Sequence, residues 1–267
     1  MIVKNVDEAY LHLCQELLKA PAYGNTHELT NVKIEIEDIT NNVVSVRGLS
    51  TSYLFGELLW YFNADDSVDY ISKFSSFWEH ISDDGTTSNS AYGYRLMKKH
   101  GFNQIDKIVE LLQKDPLSRR AVLNINIPNE HVIETKDEPC TIAIQFLVRD
   151  EKLNCTVMMR SNDIWFGTPY DWAFFMELQK VVADRLGLAY GTYVHFATSL
   201  HLYDRDFDKI QAVVDHPTSK LVIYDRKQFH THSKLLFNVT KACDKDSAKS
   251  TLMYMLNIFD IYRGDKK

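Results

Sequence analysis

The chain has little of what marks a secreted, metal-stapled, membrane-spanning or nucleic-acid-coating protein. Its four cysteines, Cys14, Cys140, Cys155 and Cys243, include no C-x-x-C pair, and no Cys/His cluster has zinc-ligand spacing. A disulfide framework that sparse would be thin for 267 residues, and positions 1–8 carry no apolar secretory core. A reduced, cytoplasmic protein without a metal is expected. Ten Gly and six Pro exclude a collagen-like or linker-dominated chain. No apolar run approaches the roughly 18 residues that span a bilayer. There is no excess of positive charge: 30 Lys+Arg face 36 Asp+Glu, a formal net charge of −6, which argues against a nucleic-acid binder working through a basic surface.

What is present is an ordinary globular balance, 45% hydrophobic and 25% charged, which excludes wholesale disorder. At about 150 residues per domain the length suits one large domain or two small ones, and either buries a sizeable core. Asn5 followed by Glu8 predicts a capping box opening a helix through about Lys19. Residues 32–37 and 43–47 alternate apolar and polar side chains around Asn41-Asn42, which predicts a hairpin. Ser50 or Thr51 is placed to cap a helix carrying Leu54, Leu58, Leu59 and Tyr61, and a second helix is expected over 68–80. Residues 81–93 are polar and read as loop. Ile105, Ile108, Val109, Leu111 and Leu112 have helical spacing, with Pro116 just past the end. Strands are expected over 121–127, 141–149, 153–160 and 192–203, the middle two joined at Asp150-Glu151-Lys152. Residues 172–186 and 204–214 read as helices. The tail predicts short strands at 221–224 and 235–239, then a helix from about 248 to 262. The expectation is a single α+β domain, residues 1–267, around one large sheet.

Several side chains carry possible chemistry. Cys140 follows Asp137-Glu138-Pro139 and begins a strand; the proline stiffens the approach and sets the thiol at a strand entrance. A lone cysteine is most often inert and buried, and reactivity needs nearby cations. Arg119-Arg120 and Arg160 each lie at the end of an element near that sheet. Adjacent guanidiniums point to different sides, so one suits a phosphate and the other a carboxylate, although a solvated basic pair is the plainer reading. Arg160-Ser161-Asn162-Asp163 gathers polar groups just before Trp165-Phe166 and Gly167, a density that fits an anionic, planar ligand or simply a polar turn. Glu57 interrupts an apolar helical run; it either faces solvent or is part-buried with a raised pKa suited to proton transfer. Asp171 begins the long helix, and its plainest role is an N-cap. His201 and Tyr203, two apart on a strand, face one way. Cys14, Cys155 and Cys243 are expected to pack.

In this order, Gly56-Glu57-Leu58-Leu59-Trp60, Ala91-Tyr92-Gly93, Asp115-Pro116-Leu117-Ser118-Arg119-Arg120, Pro139-Cys140, Arg160-Ser161-Asn162-Asp163 with Gly167, and His201-Leu202-Tyr203 resemble the thymidylate synthase superfamily from about residue 50 to 210. The resemblance implies the family's three-layer α+β fold and a homodimer whose large mixed sheets pack back to back. It implies that Cys140 adds to carbon 6 of a pyrimidine nucleotide, making carbon 5 nucleophilic enough to attack the methylene group of the co-substrate 5,10-methylenetetrahydrofolate. It gives Glu57 the proton transfers and the ordering of water. Arg160 and Ser161 would hold the phosphate, helped by Arg119 and Arg120 from the neighbouring subunit. Asp163 would lie by the folate and the pyrimidine, with Asn162 on the substrate side and Gly167 on the folate side. His201 and Tyr203 would bind the sugar hydroxyl, and Tyr92 and Trp78 would line the cleft.

Departures from the family pattern choose a branch. Synthases have Asn where this chain has Asp171. An Asn amide matches uracil, whose ring N–H donates and whose carbonyl accepts. Cytosine reverses both polarities, and a protonated carboxyl matches that reversal because one oxygen donates and the other accepts. Mismatch leaves buried polar groups unpaired, so discrimination is large. Deoxycytidylate hydroxymethylases resemble this chain in having Asp here, and Cys-Thr, as in Cys140-Thr141, where synthases have Cys-His. The synthases' early Arg-containing phosphate loop is not recognisable in 20–30, nor their folate-covering C-terminal segment in 258–267. Poor shielding lets water rather than hydride trap the exocyclic methylene. The expected activity is therefore 5-hydroxymethylation of dCMP, with no nucleic-acid or membrane partner. The alternatives are a CMP hydroxymethylase, a dUMP hydroxymethylase, a divergent thymidylate synthase or, outside enzymes, a nucleotide- or RNA-binding homologue. The retained Cys140, Glu57 and arginines argue against the last.

Overall fold

The computed structural model describes residues 1–127 and 134–262. The expected lack of a folate-covering tail falls partly on 263–267, outside the described residues. In chain order the elements are β1 (Ile2–Val3), α1 (Val6–Leu17), β2 (Ala22–Tyr23), β3 (Thr26–Ile36), α2 (Thr51–Phe62), α3 (Val68–Ile71), α4 (Phe77–Ile81), α5 (Tyr92–Met97) and α6 (Gln104–Lys114). There follow β4 (Val122–Asn124), β5 (Thr141–Arg149), β6 (Lys152–Met159), β7 (Asn162–Asp163), α7 (Thr168–Leu186), β8 (Ala189–Tyr203), α8 (Phe207–Asp215), α9 (Arg226–Ala242) and α10 (Lys245–Ile258). They divide into two compact units. One comprises Met1–Gly48, Gln104–Asn126 and Cys140–Leu221; the other is formed from the described parts of 49–103, 127–139 and 222–267.

The first unit holds one large mixed sheet in the order β1-β3-β8-β6-β5-β4, with β2 added to β3 and β7 to β8. β8 runs antiparallel to β3 and parallel to β6. This is the α+β architecture the sequence predicted. α1 forms where predicted: Asn5 caps it by accepting from the Glu8 N–H at 3.0 Å, and Glu8 reaches back to the Lys4 N–H at 2.9 Å. Its buried face is Val6, Ala9, Tyr10, Leu13, Cys14 and Leu17, a helical spacing. β5 and β6 meet in a tight turn in which Asp150 and Glu151 both take positive φ, 51° and 59°, the twist that suits a hairpin. α7 is apolar on most of its circumference, burying Trp172, Phe174, Phe175, Met176 and Val182, and it ends at Gly187 in the left-handed conformation, φ 67°.

The predicted hairpin over 32–47 does not form. β3 takes β1, β2 and β8 as partners, and 43–47 is irregular. Val43, Val44 and Val46 are buried, so the alternation signalled burial rather than a ladder. The backbone there is satisfied by a side chain: Asp7 accepts from the Ser45 N–H at 2.7 Å, the Ser45 hydroxyl at 2.5 Å and the Val46 N–H at 3.3 Å. Asp7→Ala leaves these donors unpaired and is expected to cost about 1–3 kcal/mol, read as a lower urea midpoint at unchanged m-value. An unchanged midpoint would mean that water replaces the carboxylate.

The second unit is helical. Ser50 caps α2 through the Tyr53 N–H at 3.4 Å, and residues 54–61 are buried without interruption. α5 approaches α2 so closely that a Cβ on Gly93 would lie 1.9 Å from the Tyr61 carbonyl oxygen; no other residue fits there. The helix predicted over 68–80 is broken into α3 and α4. At the break Lys73 turns to the C-terminal end of α9, donating to the carbonyls of Lys241 at 2.6 Å and Cys243 at 2.8 Å. The strands predicted at 221–224 and 235–239 are also corrected. The first contributes only a bridge from Tyr224 to Tyr262. The second lies inside α9, capped by Asp225 on the Gln228 N–H at 3.0 Å. Phe229, Ser233, Leu236, Phe237 and Thr240 are its buried face, a helical recurrence that the short apolar run Leu235-Leu236-Phe237 concealed.

All four cysteines are free thiols. Burial pushes Cys14 up to about 12 and Cys155 higher still, so both are packing groups. Among the described residues, no helix is long and apolar enough to cross a membrane.

Candidate active site

In the first unit, Cys140 immediately precedes β5 and Arg160 immediately follows β6. The antiparallel register pairs Thr141 with Met159, which brings the two flanking residues side by side. The Arg160 N–H donates to the Cys140 carbonyl at 2.9 Å, and the Arg160 Nη2 lies 3.9 Å from the Cys140 Sγ. A guanidinium beside a half-buried sulfur places positive charge where a thiolate carries its negative charge. Next to the thiol, Thr141 is fully buried, and its Oγ1 finds no hydrogen-bond partner among the described residues.

β7 extends the site. It pairs parallel with β8 and sets Asp163 opposite His201. Asp163 Oδ1 accepts from the N–H groups of Trp165 at 2.7 Å and Phe166 at 3.3 Å. Burial pushes its carboxyl up, against the opposing pull of those N–H groups and of His201; burial also pushes His201 down. The rings of His201 and Tyr203 meet edge-on, 5.1 Å apart. Phe166 is 55% exposed, with the Lys209 Nζ 5.9 Å and the Arg205 guanidinium 6.0 Å from its ring. Arg205 also lies 4.3 Å over Tyr203. Beneath them Arg47 stacks 3.7 Å over the Trp165 ring and donates to its carbonyl at 2.5 Å.

Asp171 is not the N-cap of α7. The helix starts three residues earlier, Gly167 takes the cap position without a side-chain bond, and Pro169 follows in the first turn. Asp171 is thereby turned inward, and its Oδ2 accepts from the Asn162 Nδ2 at 2.8 Å. Burial of the carboxyl, reinforced by the negative charge of Asp163 and opposed by the Asn162 hydrogen bond, pushes its pKa up to about 7. Gly167 closes this corner: a Cβ there would lie 2.9 Å from the Asp163 carbonyl oxygen, 3.0 Å from the Asn162 Nδ2 and 3.3 Å from the Asp171 Oδ2. Gly167→Ala is expected to cost about 1–3 kcal/mol and to part Asn162 from Asp171. The check is a lowered thermal midpoint together with an Asp171 titration displaced in a carbon-labelled NMR series; a carboxyl that titrates as before would show that the corner yields elsewhere.

The other arginines stand before β4. Arg119 and Arg120 are exposed; Arg119 offers its carbonyl to the Gln145 amide at 2.9 Å, and Arg120 lies 3.9 Å from Asp115. Ser161 is half-buried between β6 and β7.

In the second unit, Glu57 is buried rather than solvent-facing, 6% exposed. Its Oε1 accepts from the Tyr53 hydroxyl at 2.7 Å, and that hydroxyl accepts from the Trp78 Nε1–H at 3.1 Å. Tyr92 stacks on Tyr61 at 5.5 Å. Tyr53 went unnoticed in the sequence, although its spacing of four from Glu57 puts both on one helix face. Arg47, Tyr193 and His195 went unnoticed too, with no comparable local signal.

The structure thus gathers Cys140 with Arg160, Asp163 with His201 and Tyr203, and Asn162 with Asp171 and Gly167. Residues 9–244, which include every one of these side chains, match the family model for thymidylate synthase.

Proposed function

The chain belongs to the thymidylate synthase family, and from that premise we propose that it hydroxymethylates dCMP, giving 5-hydroxymethyl-dCMP and tetrahydrofolate. Membership brings folate-dependent one-carbon transfer to a pyrimidine nucleotide. The observation that carries the finer reading is the Asp171 carboxyl, turned inward on Asn162 at 2.8 Å and pushed up to about 7. At neutral pH a large fraction is the acid, which donates from one oxygen and accepts with the other. That is the complement of cytosine's ring nitrogen and amino group.

The rest of the site is consistent with that chemistry. Cys140 Sγ forms a bond to carbon 6, and the ring π pair moves to carbon 5. Arg160, whose guanidinium lies 3.9 Å from the sulfur, holds the phosphate with Ser161. Carbon 5 forms a bond to the methylene carbon of 5,10-methylenetetrahydrofolate as the first of that carbon's two bonds to folate nitrogens breaks; the carbon-5 proton then leaves, the second carbon–nitrogen bond breaks, and tetrahydrofolate departs from the exocyclic methylene. Water adds its oxygen to the exocyclic methylene, a proton leaves that water, and Sγ departs from carbon 6. Glu57 serves the proton transfers, its carboxyl aimed by Tyr53. The open Phe166 ring flanked by Arg205 and Lys209 fits a planar, anionic co-substrate, with Asp163 and Gly167 as further folate contacts. His201 and Tyr203 take the sugar hydroxyl, and Tyr92 lines the cleft. Arg119 and Arg120, both exposed, reach the partner's phosphate in a cytoplasmic homodimer.

The test is one incubation with 5,10-methylenetetrahydrofolate and dCMP, CMP or dUMP in parallel, analysed by mass spectrometry. A CH2O gain on dCMP is expected. The same gain on CMP keeps the mechanism and moves the sugar preference. A CH2 gain on dUMP with dihydrofolate release overturns the reading in favour of a methylating synthase.

A further inference from the structure

Behind Asp171 and its partner Asn162 stand Thr168, His195 and Tyr193, three side chains that the chemistry above does not use. Asn162 Nδ2 donates to Asp171 Oδ2 at 2.8 Å. Asn162 Oδ1 accepts from the Thr168 hydroxyl at 2.7 Å and faces the His195 Nε2 at 3.0 Å. On the far side of the ring, His195 Nδ1 faces the Tyr193 hydroxyl at 3.1 Å. Tyr193, His195, Asn162 and Thr168 are each no more than 2% exposed. They come from separate elements: Tyr193 and His195 from one face of β8, Asn162 from β7, Thr168 and Asp171 from the first turn of α7.

Such a line has two self-consistent polarities. In the first, the Tyr193 O–H donates to Nδ1, the Nε2–H donates to the Asn162 oxygen, and the Asn162 NH2 faces Asp171. In the second every bond is reversed, the amide is turned over, and Asp171 must donate its own proton to the Asn162 oxygen. The second exists only while Asp171 is protonated, because a carboxylate accepts and never donates. The first serves both forms of Asp171. Burial keeps His195 neutral, its pKa lowered to about 3, so the ring carries a single N–H. Burial also keeps the Tyr193 hydroxyl protonated. The Trp172 ring stands edge-on to His195 at 5.9 Å and holds its plane. The ionisable neighbours of the line are Asp163 beside Asp171 and the Cys155 thiol beside Tyr193.

We infer that His195, oriented by Tyr193, is a specificity-positioning residue: it locks the Asn162 amide with its NH2 toward Asp171 and so reserves the free carboxyl oxygen, Oδ1, to carry the proton that reads the base. With Oδ2 accepting from Asn162, the acid presents Oδ1–H as donor and Oδ2 as acceptor, the cytosine pattern. In the reversed line the acid proton is consumed by Asn162, and Oδ1 is left as an acceptor for the ring N–H of uracil. Base choice is then set about two side chains behind the residue that touches the base. The consequence for base choice rests on the dCMP reading; the polarity of the line does not.

Two measurements test it. In long-range nitrogen–proton spectra of histidine-labelled full-length protein, the His195 signal is identified by its loss in His195→Gln. It is expected to show a neutral ring protonated at Nε2 throughout about pH 5.5–8.5. The Nδ1–H tautomer, or a titration inside that window, overturns the proposal. Equilibrium binding of dCMP and dUMP is then compared across variants. His195→Leu removes the donor and is expected to reduce the dCMP-over-dUMP preference about tenfold. His195→Gln retains an N–H donor and is expected to stay within about threefold of the parent. Tyr193→Phe keeps the ring but releases its tautomer, and falls between them while guarding against a His195→Leu that does not fold. A folded His195→Leu or Tyr193→Phe with the full preference overturns the proposal. A parent protein that binds neither nucleotide, or prefers dUMP, overturns the dCMP reading, while the tautomer spectrum still decides the polarity of the line.

Discussion

Cys140→Ser loses turnover of dCMP by at least about 10³-fold while keeping nucleotide affinity within about threefold. The loss of a nucleophile removes a bond that exists only along the reaction path, so it appears in turnover rather than in binding. Serine is close in size, and the backbone tie from the Arg160 N–H to the residue-140 carbonyl is independent of the side chain. Stability should therefore be unchanged within about 0.5 kcal/mol. Steady-state rates, calorimetric binding and a melting curve on one preparation check this. A variant that keeps a tenth of the parent rate would show that the sulfur makes no bond to the base and would return the chain to the class of binding homologues.

Asp171→Asn inverts base preference, moving the dCMP-to-dUMP ratio of kcat/KM by about 10³-fold or more toward dUMP. A site built to hydrogen-bond one pattern rejects the other by leaving buried groups unpaired, and factors of about 10⁴ are within its reach. The replacement is isosteric; with the line behind it reversed, its NH2 donates to the Asn162 oxygen while its amide oxygen accepts from the ring N–H of uracil, so the corner closed by Gly167 stays packed. The pH dependence separates this from general damage. Burial raises the Asp171 pKa to about 7, so the acid form, the one that donates to cytosine, predominates below that value and is lost as pH rises through it. Parent dCMP turnover therefore has an alkaline limb near pH 7. In the variant that limb is gone, because an amide does not titrate in this range. Unchanged preference, or a limb that survives the substitution, would assign base selection to another group.

How far the sequence could be read depended on whether a signal was local. The strand expected over 141–149 is β5 to the residue, because apolar β-formers run between a proline and a turn. The helix opened by Asn5 is where its cap placed it. The hairpin expected over 32–47 failed because alternation reports which side chains are buried and not what the backbone bonds to; Asp7, 38 residues from Ser45, supplied those bonds instead. α9 was hidden because three adjacent apolar residues satisfy a strand and a helix equally well. At the site, the motif residues were legible because they stand in the order of the family's motifs along the chain. Asp171 was legible in identity but not in direction: only the start of α7 at Thr168 shows that it faces Asn162 and does not cap the helix. His195 was illegible because its partner Asn162 is 33 residues away, and only the pairing of β7 with β8 joins them.

The β5–β6 hairpin constrains the chain in a way that composition does not show. Its strands are nine and eight residues long, with the Asp150-Glu151 turn at one end and the sulfur and guanidinium at the other. The spacing of Cys140 and Arg160 is thus set by length, counted out along two strands from a point far from either, together with the one-residue register shift between Thr141 and Ala143. Replacement of the turn residues is open to any pair that tolerates positive φ. Insertion of one residue there is not, because a single-step slip turns the side chains of one strand to the opposite face and carries Arg160 away from the thiol. For this protein the number of residues in a surface turn decides whether a guanidinium stands beside the Cys140 sulfur.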